Sequence, residues 1–205
     1  MGIVKTAVQQ KVLILFFHPR FENSRANRAL TEAILSETDF SFRDMYELYP
    51  DFNIDVKAEQ QQLLQHDIIV WMHPFYWYSC PPLMKQWIDL VLAFHWAYGP
   101  GGEFLKGKKI FNVITSGGGF DAYQRGGRNR FTYREYLVPF DQTATLCHMQ
   151  YLPPFIVPGA PRLEPSELEN YAKQLVNTLK MLSAGNFSNE LLQQNDYLNS
   201  ILTTS

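Results

Sequence analysis

Short apolar runs that alternate with stretches of helical spacing constrain the fold of this chain most strongly. Three of the runs, at residues 11–17, 68–72 and 109–115, have the length of a strand that is buried on both faces. Each run ends in a loop rich in polar, aromatic or glycine residues. Alternation of this kind predicts an α/β fold, in which a parallel sheet has helices on both faces and right-handed crossovers.

The complete pattern predicts a sheet of about five strands. We expect strands at residues 11–17, 40–45, 68–72, 109–115 and 151–157, and helices at residues 24–37, 56–65, 82–94, 133–147 and 165–182. The flavodoxin-like strand order 2-1-3-4-5 is favoured, because the first, third and fourth strands each end in a candidate ligand loop. A Rossmann fold is disfavoured, since no GxGxxG follows the first strand and no Walker-type GxxxxGK(S/T) occurs.

Length and composition indicate one domain with a short extension at each end. The 205 residues are 46% hydrophobic and 19% charged, which suffices for one sizeable core, expected at residues 11–183. Residues 1–10 are expected to form an N-terminal extension. Residues 184–205 are rich in Asn, Ser and Gln and predict a polar C-terminal tail, either poorly ordered or docked on a neighbouring surface.

Charge, hydropathy and cysteine content exclude several classes of protein. The net charge of -2 gives no electrostatic case for nucleic-acid binding, and no apolar run reaches the roughly 18 residues of a membrane span. The N-terminus lacks an apolar stretch of signal-peptide length, so a cytoplasmic location is expected. Cys80 and Cys147 lack CxxC spacing and are expected to be reduced thiols, with no metal site.

The loop after the first strand leads into a helix. Ser24 can be the N-cap of that helix, so that free N–H groups and the positive end of the helix dipole face the loop at residues 18–23. A loop at a helix N-terminus is suited to bind an anion. The alternative is that Ser24 only caps the helix and that His18 is an ordinary loop residue.

The loops after the third and fourth strands offer other chemistry. Residues 73–82, HPFYWYSCPP, place adjacent aromatic side chains between prolines, which predicts a stiff wall suited to a planar ring. Residues 115–119, TSGGG, present bare N–H groups and two hydroxyls. The alternatives are packing or a dimer interface for the aromatic residues and an ordinary turn for the glycines. A parallel sheet would bring all three loops to one edge.

These motifs, with several others in order along the chain, resemble the NAD(P)H quinone reductase family. The segments that carry the resemblance are His18-Pro19, Ser24-Arg25-Ala26-Asn27, Leu48-Tyr49-Pro50-Asp51-Phe52-Asn53-Ile54-Asp55, His73-Pro74, Trp77-Tyr78-Ser79, Pro81-Pro82-Leu83, Trp87-Ile88-Asp89, Trp96-Ala97-Tyr98-Gly99, Gly101-Gly102, Thr115-Ser116-Gly117-Gly118-Gly119 and Leu152-Pro153-Pro154-Phe155. Within the family, the chain is most similar to flavoprotein ancillary subunits of glutathione-gated potassium-efflux antiporters. The likeness spans about residues 11–182.

The resemblance implies a homodimeric flavodoxin-like enzyme that binds FMN, with FAD as the alternative, and reduces quinones with NADPH or NADH by a ping-pong cycle. It implies that the flavin phosphate is held by His18, Ser24, Arg25, Ala26 and Asn27, with His18 as a proton donor or a positive charge. The isoalloxazine edge would be lined by Pro74, Phe75, Tyr76, Trp77 and Tyr78. Its pyrimidine side would meet Thr115, Ser116, Gly117 and Gly118.

The resemblance also points to residues around the substrate. Tyr123 is the candidate catalytic residue, a proton donor on reduction, although Arg128 and Asn129 stand where the family has a partner histidine. Arg125 or Arg128 would hold the reduced flavin or the phosphates of the nicotinamide nucleotide, unless both are solvated loop charges. Further pocket residues are Phe120, above the flavin, and Trp96 and Tyr98, which would reach toward the partner subunit's flavin or serve only as interface packing.

Two other classes of function remain as alternatives. In the first, the chain is a regulatory subunit that docks on a membrane potassium-efflux antiporter, peripheral at the inner face of the membrane, and its flavin is structural or redox-sensing. In the second, it is an electron carrier of the flavodoxin kind. The carrier is disfavoured, because such carriers are strongly acidic and this chain is near neutral.

Overall fold

The computed structural model describes residues 9–201, in which six strands and nine α-helices occur. The strands are β1 (Val12–Phe16), β2 (Phe40–Asp44), β3 (Ile68–Pro74), β4 (Lys109–Thr115), β5 (Gln150–Tyr151) and β6 (Phe155–Val157). The helices are α1 (Arg25–Leu35), α2 (Met45–Leu48), α3 (Val56–Gln65), α4 (Pro82–Val91), α5 (Tyr133–Tyr136), α6 (Val138–Leu146), α7 (Pro165–Ser183), α8 (Asn189–Gln194) and α9 (Leu198–Ile201). Most of the predicted extension at residues 1–10 lies outside the described residues.

The six strands form one parallel sheet of order β2-β1-β3-β4-β5, and β6 also pairs with β4. Phe16 of β1 pairs with Met72, and Pro74 of β3 pairs with Thr115. The strands β1, β3 and β4 therefore end close together at one edge of the sheet. The predicted α/β class and the flavodoxin-like strand order are confirmed.

The core has two halves, one on each face of the sheet. In β1, Leu13 and Leu15 belong to one half, whereas Val12, Ile14 and Phe16 belong to the other. Helices α1 and α7 contribute to the second half, and α3, α4 and α6 contribute to the first. Because both faces of β1 are covered, all five of its residues are buried, which explains the continuous apolar run in the sequence.

Prolines explain two differences from the predicted elements. The strand predicted at residues 151–157 is divided into β5 and β6, because Pro153 and Pro154 have no N–H group to donate to β4. The helix predicted at residues 133–147 is divided at Leu137, with φ -88° and ψ 0°, directly before the first turn of α6, which contains Pro139. The helix predicted to reach residue 94 ends at Val91, and α2 was not predicted.

A fully buried carboxylate connects three elements on the first face of the sheet. Glu59 of α3 accepts hydrogen bonds from Arg43 of β2, from the Tyr49 hydroxyl at 2.8 Å and from Trp87 Nε1 of α4 at 3.0 Å. Burial and the hydrogen bond to Glu59 raise the pKa of Tyr49 to about 12. The carboxylate therefore has three donors to offset its removal from water. We call these four residues the Glu59 network.

The segment after α7 docks on the body of the protein. Leu192 of α8 and Leu198 and Ile201 of α9 are buried in the second half of the core. The Asn199 side chain pairs with both backbone groups of Ile156 in β6, accepting from the N–H at 2.8 Å and donating to the C=O at 3.0 Å. The tail was expected to be either poorly ordered or docked on a neighbouring surface, and residues 189–201 are docked.

Helix α7, with 19 residues, packs one side against the sheet. Its buried residues Leu168, Ala172, Leu175 and Leu179 recur at the three- and four-residue spacing of one helix face. Among residues 9–201, no helix has both the length and the apolar character that a membrane crossing requires.

Candidate functional site

A cleft of about 680 Å³ lies at the carboxyl ends of β1, β3 and β4. It is lined by His18, Arg20, Asn23, Ser24, Arg25, Ala26, Asn27, Pro74, Phe75, Tyr76, Thr115, Ser116, Gly117, Ala160 and Pro161. We call it the main cleft. The three loops singled out in the sequence thus meet in one place, as expected for ligand sites of open α/β sheets.

One end of the main cleft is the start of α1. Ser24 caps the helix by accepting from the Asn27 N–H at 3.3 Å. The N–H groups of Arg25 and Ala26 have no acceptor among residues 9–201. Free N–H groups at a helix start, together with the helix dipole, form a site for an anion such as a phosphate.

The buried Asn27 side chain connects this helix start to the end of β4. Its Nδ2 donates to Ser24 Oγ and to Thr115 Oγ1, both at 2.9 Å. Its Oδ1 is buried and has no hydrogen-bond partner within the described residues. A buried acceptor without a donor is costly, so this atom fits a site that is completed by a ligand carrying hydroxyl groups.

His18 lies in the main cleft as a neutral side chain. Burial lowers the pKa of His18, and the nearby Glu22 carboxylate raises it by a smaller amount. Its Nδ1 accepts from the Arg20 N–H at 3.1 Å, so the proton of the neutral ring is on Nε2. Of the two roles considered for His18, the geometry favours a neutral donor over a positive charge.

The aromatic loop after β3 forms the other end of the main cleft and contains a strained turn. Trp77 and Tyr78 have φ of 47° and 63°, and the Ser79 N–H donates to the Tyr76 carbonyl at 2.9 Å. Positive φ at two bulky residues costs energy and is typical of functional loops. The N–H groups of Trp77 and Tyr78 have no acceptor among residues 9–201, and Trp77 is 91% exposed.

The glycine loop after β4 is fixed by hydrogen bonds from α5 and from the turn after β6. The Tyr133 hydroxyl contacts Ser116 Oγ at 2.9 Å and donates to the Gly118 carbonyl at 2.8 Å. A Cβ at Gly118 would lie 2.7 Å from the Tyr123 ring, so this position requires glycine. The N–H of Gly159, in the turn after β6, also donates to the Gly118 carbonyl at 2.8 Å.

A second buried polar cluster runs beneath the main cleft, and we call it the His73 network. The Tyr151 hydroxyl of β5 donates to Asn112 Oδ1 of β4 at 2.6 Å, and Asn112 Nδ2 lies 2.9 Å from His73 Nε2. His73 Nδ1 then lies 3.0 Å from the Pro74 carbonyl, at the cleft wall. Burial lowers the pKa of His73 to about 4, so the ring is neutral and its proton is on Nδ1.

A smaller cleft of about 470 Å³ adjoins the main cleft at Gly117. Its lining consists of Tyr78, Gly117, Gly118, Gly119, Asp121, Ala122, Arg128, Asn129 and Arg162. We call it the second cleft. It contains the predicted pocket residue Arg128 and the predicted flavin-contact residues Tyr78 and Gly118, which do not line the main cleft. It also contains Arg162, which was not predicted.

Several predicted residues line neither cleft, and one of them is Trp77 of the aromatic loop. Tyr123 is buried beneath the glycine loop, stacked on Tyr133 at 4.1 Å, and burial raises its pKa. Phe120 lines a different cavity, beside α7. Trp96 stacks on Phe104 at 5.7 Å, and Tyr98 packs on Phe94. Within one chain these side chains do not reach the main cleft, so their roles stay predictions.

The residues missed in the sequence come mainly from the turn after β6. Ala160 and Pro161 line the main cleft, and the Ala160 N–H donates to the Ser116 carbonyl at 2.8 Å. Gly159, with φ 63°, turns the chain toward the glycine loop. The signal was available in the sequence, since this glycine- and proline-rich turn follows the last predicted strand at the same edge.

Comparison with known proteins gives a consistent result. The Flavodoxin_2 family model, described as a flavodoxin-like fold, matches residues 10–179. An uncharacterized NAD(P)H oxidoreductase, YdeQ of Bacillus subtilis (strain 168), is 47% identical over 166 residues, which are 81% of this chain and 84% of the relative. The ancillary protein KefG of a glutathione-regulated potassium-efflux system in Yersinia enterocolitica is 44% identical over 170 residues, 83% of this chain and 92% of KefG.

Solved structures agree with these relatives. General stress protein 14 of Treponema denticola, in complex with FMN, has a TM-score of 0.79 and 38% identity and covers 84% of this chain and 99% of its own. An NADPH-quinone reductase from P. pentosaceus has a TM-score of 0.74 and 28% identity. The match covers 84% of this chain and 97% of the reductase chain. The chain therefore belongs to the flavodoxin-like family of NAD(P)H oxidoreductases.

Proposed function

We propose that this chain binds FMN in the main cleft and transfers electrons from NAD(P)H to quinones. One observation carries the proposal: the free N–H groups of Arg25 and Ala26 lie in the same cleft as the aromatic loop after β3. A phosphate and a flat ring system, joined by a short polar chain, fit these two ends. The FMN complex of the Treponema denticola relative supports this assignment.

At the helix start, the chain offers donors suited to a phosphate. The N–H groups of Arg25 and Ala26, the Ser24 hydroxyl and the neutral His18 Nε2–H would hold the phosphate oxygens. Asn27 fixes Ser24 relative to Thr115, and its unpaired Oδ1 would accept from a hydroxyl group of the ribityl chain. The buried polar atoms of this end are therefore satisfied once the phosphate and the ribityl chain bind.

At the aromatic loop, the chain offers free backbone donors beside the main cleft. Bound FMN supplies the hydride chemistry, in which two electrons pass from reduced nicotinamide to an acceptor. The free N–H groups of Trp77, Tyr78 and Gly117 would hydrogen-bond the polar edge of the ring and stabilise negative charge there. Because the His73 network holds the Pro74 carbonyl, the loop is positioned from inside the sheet.

A quinone is the proposed acceptor because the loop after β3, which contributes to both clefts, carries exposed aromatic side chains. Stacking on Trp77 and Tyr78 depends on ring area and electrostatics, so it tolerates many substituent patterns. The same space would accept the nicotinamide ring in turn, which predicts a ping-pong cycle. Broad acceptance of quinones is the expected behaviour.

The decisive test is the visible spectrum of the purified protein under anaerobic conditions. We expect FMN to copurify or to bind at micromolar concentration, and NADPH or NADH to bleach its absorbance within minutes. A quinone should then restore the oxidised spectrum. A protein that binds neither FMN nor FAD, or a flavin that stays oxidised with excess NADPH, would contradict the proposal.

Steady-state kinetics test the shared pocket separately. Double-reciprocal plots at several quinone concentrations should give parallel lines, and the quinone should compete with NAD(P)H. Intersecting lines would show that both substrates bind together, which would reject the ping-pong mechanism and leave FMN binding untouched.

A role as an ancillary subunit is the second candidate function. It is favoured by the 44% identity to KefG, which extends over 92% of that protein. In this case the chain would copurify with a potassium-efflux antiporter and change its transport rate. Activity of the isolated chain with quinones would then be compatible with either role, whereas an unreactive flavin would favour the ancillary one.

We also propose a homodimer as the working unit. Phe94 is 54% exposed, and Phe104, which stacks on Trp96, is 52% exposed. Neighbouring exposed aromatic side chains are typical of an interface. Sedimentation that shows a monomer with full turnover would reject the dimer.

A further inference from the structure

We propose that the second cleft binds a phosphate group of the nicotinamide dinucleotide through Arg128 and Arg162. The inference rests on the proposed function, because it assigns a place to the part of NAD(P)H that does not react. The site consists of two arginines from different loops, and its ligand is a phosphate of an adenine nucleotide.

The position of the second cleft supports this assignment. It shares Gly117 with the main cleft, and Tyr78 of the aromatic loop forms part of its wall. The start of α1, where the FMN phosphate would bind, lines only the main cleft. A dinucleotide whose nicotinamide ring lies beside the aromatic loop would therefore have this neighbouring space for its phosphates.

The backbone on both sides of Arg128 is held in place. A Cβ at Gly127 would lie 2.6 Å from the Asp121 carbonyl, so the loop folds back on itself only with glycine there. The Asn129 N–H donates to the Ala122 carbonyl at 2.9 Å, and its carbonyl accepts from the Tyr136 hydroxyl at 2.6 Å. Arg128 therefore projects from a fixed part of the loop.

Arg162 reaches the same cleft from the turn after β6. Its N–H donates to the Gly159 carbonyl at 2.8 Å, and the Gly159 N–H donates to Gly118 at 2.8 Å. The turn is thus attached directly to the glycine loop that separates the two clefts. Both arginines are exposed, and each starts from an anchored backbone.

The charges in the second cleft are not neutralised by the protein. Within residues 9–201, neither guanidinium has an ion pair or a side-chain hydrogen bond. By contrast, Arg125 pairs with Glu135 at 3.1 Å, and Arg130 lies over the Phe131 ring at 5.8 Å. Asp121 is the single carboxylate among the lining residues, so two positive charges face one negative charge.

Phosphate is the ligand group that fits two guanidinium groups lining one cleft. Each guanidinium presents a planar set of donors that matches phosphate oxygens, and it stays charged at every physiological pH. Asp121 would repel a phosphate, so substitutions of Asp121 and of the arginines should change the affinity for phosphate in opposite directions. Removing an arginine should weaken binding, whereas removing the carboxylate should strengthen it.

The test is calorimetric titration of the FMN-loaded protein with 2′,5′-ADP and, separately, with ADP. Neither nucleotide is reduced or oxidised, so the measurement does not depend on turnover. For 2′,5′-ADP we expect a loss of about tenfold for Arg128→Ala and for Arg162→Ala, since each removes a charge-assisted hydrogen bond. The double variant should lose about a hundredfold. Asp121→Asn should bind several-fold more tightly.

Arg130→Ala is the matched control, because Arg130 is an exposed arginine of the same loop that does not line the cleft. Its nucleotide affinity should equal that of the wild type. The conservative Arg128→Lys should recover only part of the loss, since lysine cannot bind a phosphate bidentately. All variants should keep the FMN spectrum of the wild type, which shows that they are folded and loaded.

The two nucleotides identify which phosphate is held. A loss confined to 2′,5′-ADP assigns the 2′-phosphate and predicts a preference for NADPH, with a higher KM and an unchanged kcat in the arginine variants. A loss for both nucleotides assigns the phosphates at the 5′ side, which NADH shares. Equal affinity of the wild type and the double variant would overturn the proposal, even if NADPH still bleaches the flavin.

Discussion

The Glu59 network and the His73 network use similar chemistry in different ways. Glu59 is a buried charge whose three donors come from β2, from α4 and from the segment that follows α2. None of the four residues in that network lines the main or the second cleft. The His73 network is neutral, crosses β5, β4 and β3, and ends at the Pro74 carbonyl in the cleft wall. The first therefore joins layers of the fold, and the second fixes the site.

Glu59→Ala should have the largest effect on stability. It leaves Arg43, Tyr49 and Trp87 without their acceptor, and breaking a buried charged pair costs about 3–5 kcal/mol. We expect the free energy of unfolding, measured with urea, to fall by this amount. The affinity of the folded fraction for FMN should stay unchanged.

Glu59→Gln provides the control for that prediction. It keeps a carbonyl oxygen as an acceptor and loses the charge, so the loss of stability should be smaller than for Glu59→Ala. An FMN affinity that falls together with stability in both variants would contradict the separation of the two networks.

The pH dependence of stability should come partly from His73. Its pKa is lowered from 6.5 to about 4 in the folded chain, so between these values the unfolded chain binds the proton more readily. The stabilisation is fully present above about pH 6.5 and should decline by about 3 kcal/mol as the pH falls to 4. Urea unfolding at a series of pH values measures it.

His73→Gln removes this titration and should flatten the curve between pH 6.5 and 4. Tyr151→Phe keeps His73 and removes one hydrogen bond, so it should lower stability by about 1 kcal/mol at every pH and leave the slope intact. If the stability of His73→Gln depends on pH as steeply as that of the wild type, another group causes the pH dependence.

Asn27→Ala extends the comparison to the helix start. The change removes two hydrogen bonds and the buried Oδ1, so FMN affinity should fall by one to two decades, about 1.4–2.7 kcal/mol. Fluorescence titration of the apoprotein measures the affinity. Thr31→Ala is the control, because Thr31 is a buried polar residue of the same helix that lines neither cleft. Equal losses in both variants would contradict a direct role for Asn27.

Trp77→Gly should have the smallest effect of these substitutions, and it should raise the stability of the protein instead of lowering it. Glycine adopts φ near 47° without strain, and the relief should exceed the entropy cost of glycine by about 0.5 kcal/mol. Thermal unfolding of the apoprotein should therefore shift upward slightly. Trp77→Ala removes the ring and keeps the strain, so it should be less stable than Trp77→Gly; the reverse order would show that the turn stores no strain.

Much of the fold could be predicted because buried parallel strands are read from apolar runs. Residues 68–72 and 109–115 meet this condition, and the loops after them are distinct in composition. The division of residues 133–147 at Leu137 was missed, although Pro139, a residue typical of a first helical turn, follows it in the chain. The start of α1 was predictable because capping is a local property.

The place of Arg162 in the site depends on a contact between residues that are distant in the chain. Arg162 reaches the second cleft only because the turn at Gly159 is hydrogen-bonded to Gly118, some forty residues earlier in the chain. The positive φ of Trp77 and Tyr78 is unusual for bulky residues, so local preference argues against it. Phe120 was expected above the flavin, but the packing of Tyr133 and Tyr197 directs it toward α7.

The pairing of Asn199 with Ile156 has a consequence for association between molecules. An open sheet edge presents unpaired backbone groups that can recruit a strand of another chain. One carboxamide here satisfies both the N–H and the C=O of Ile156, as a neighbouring strand would. The last turn of the described chain thus covers the β6 edge, so a strand of another chain would have to displace the Asn199 side chain to pair with Ile156.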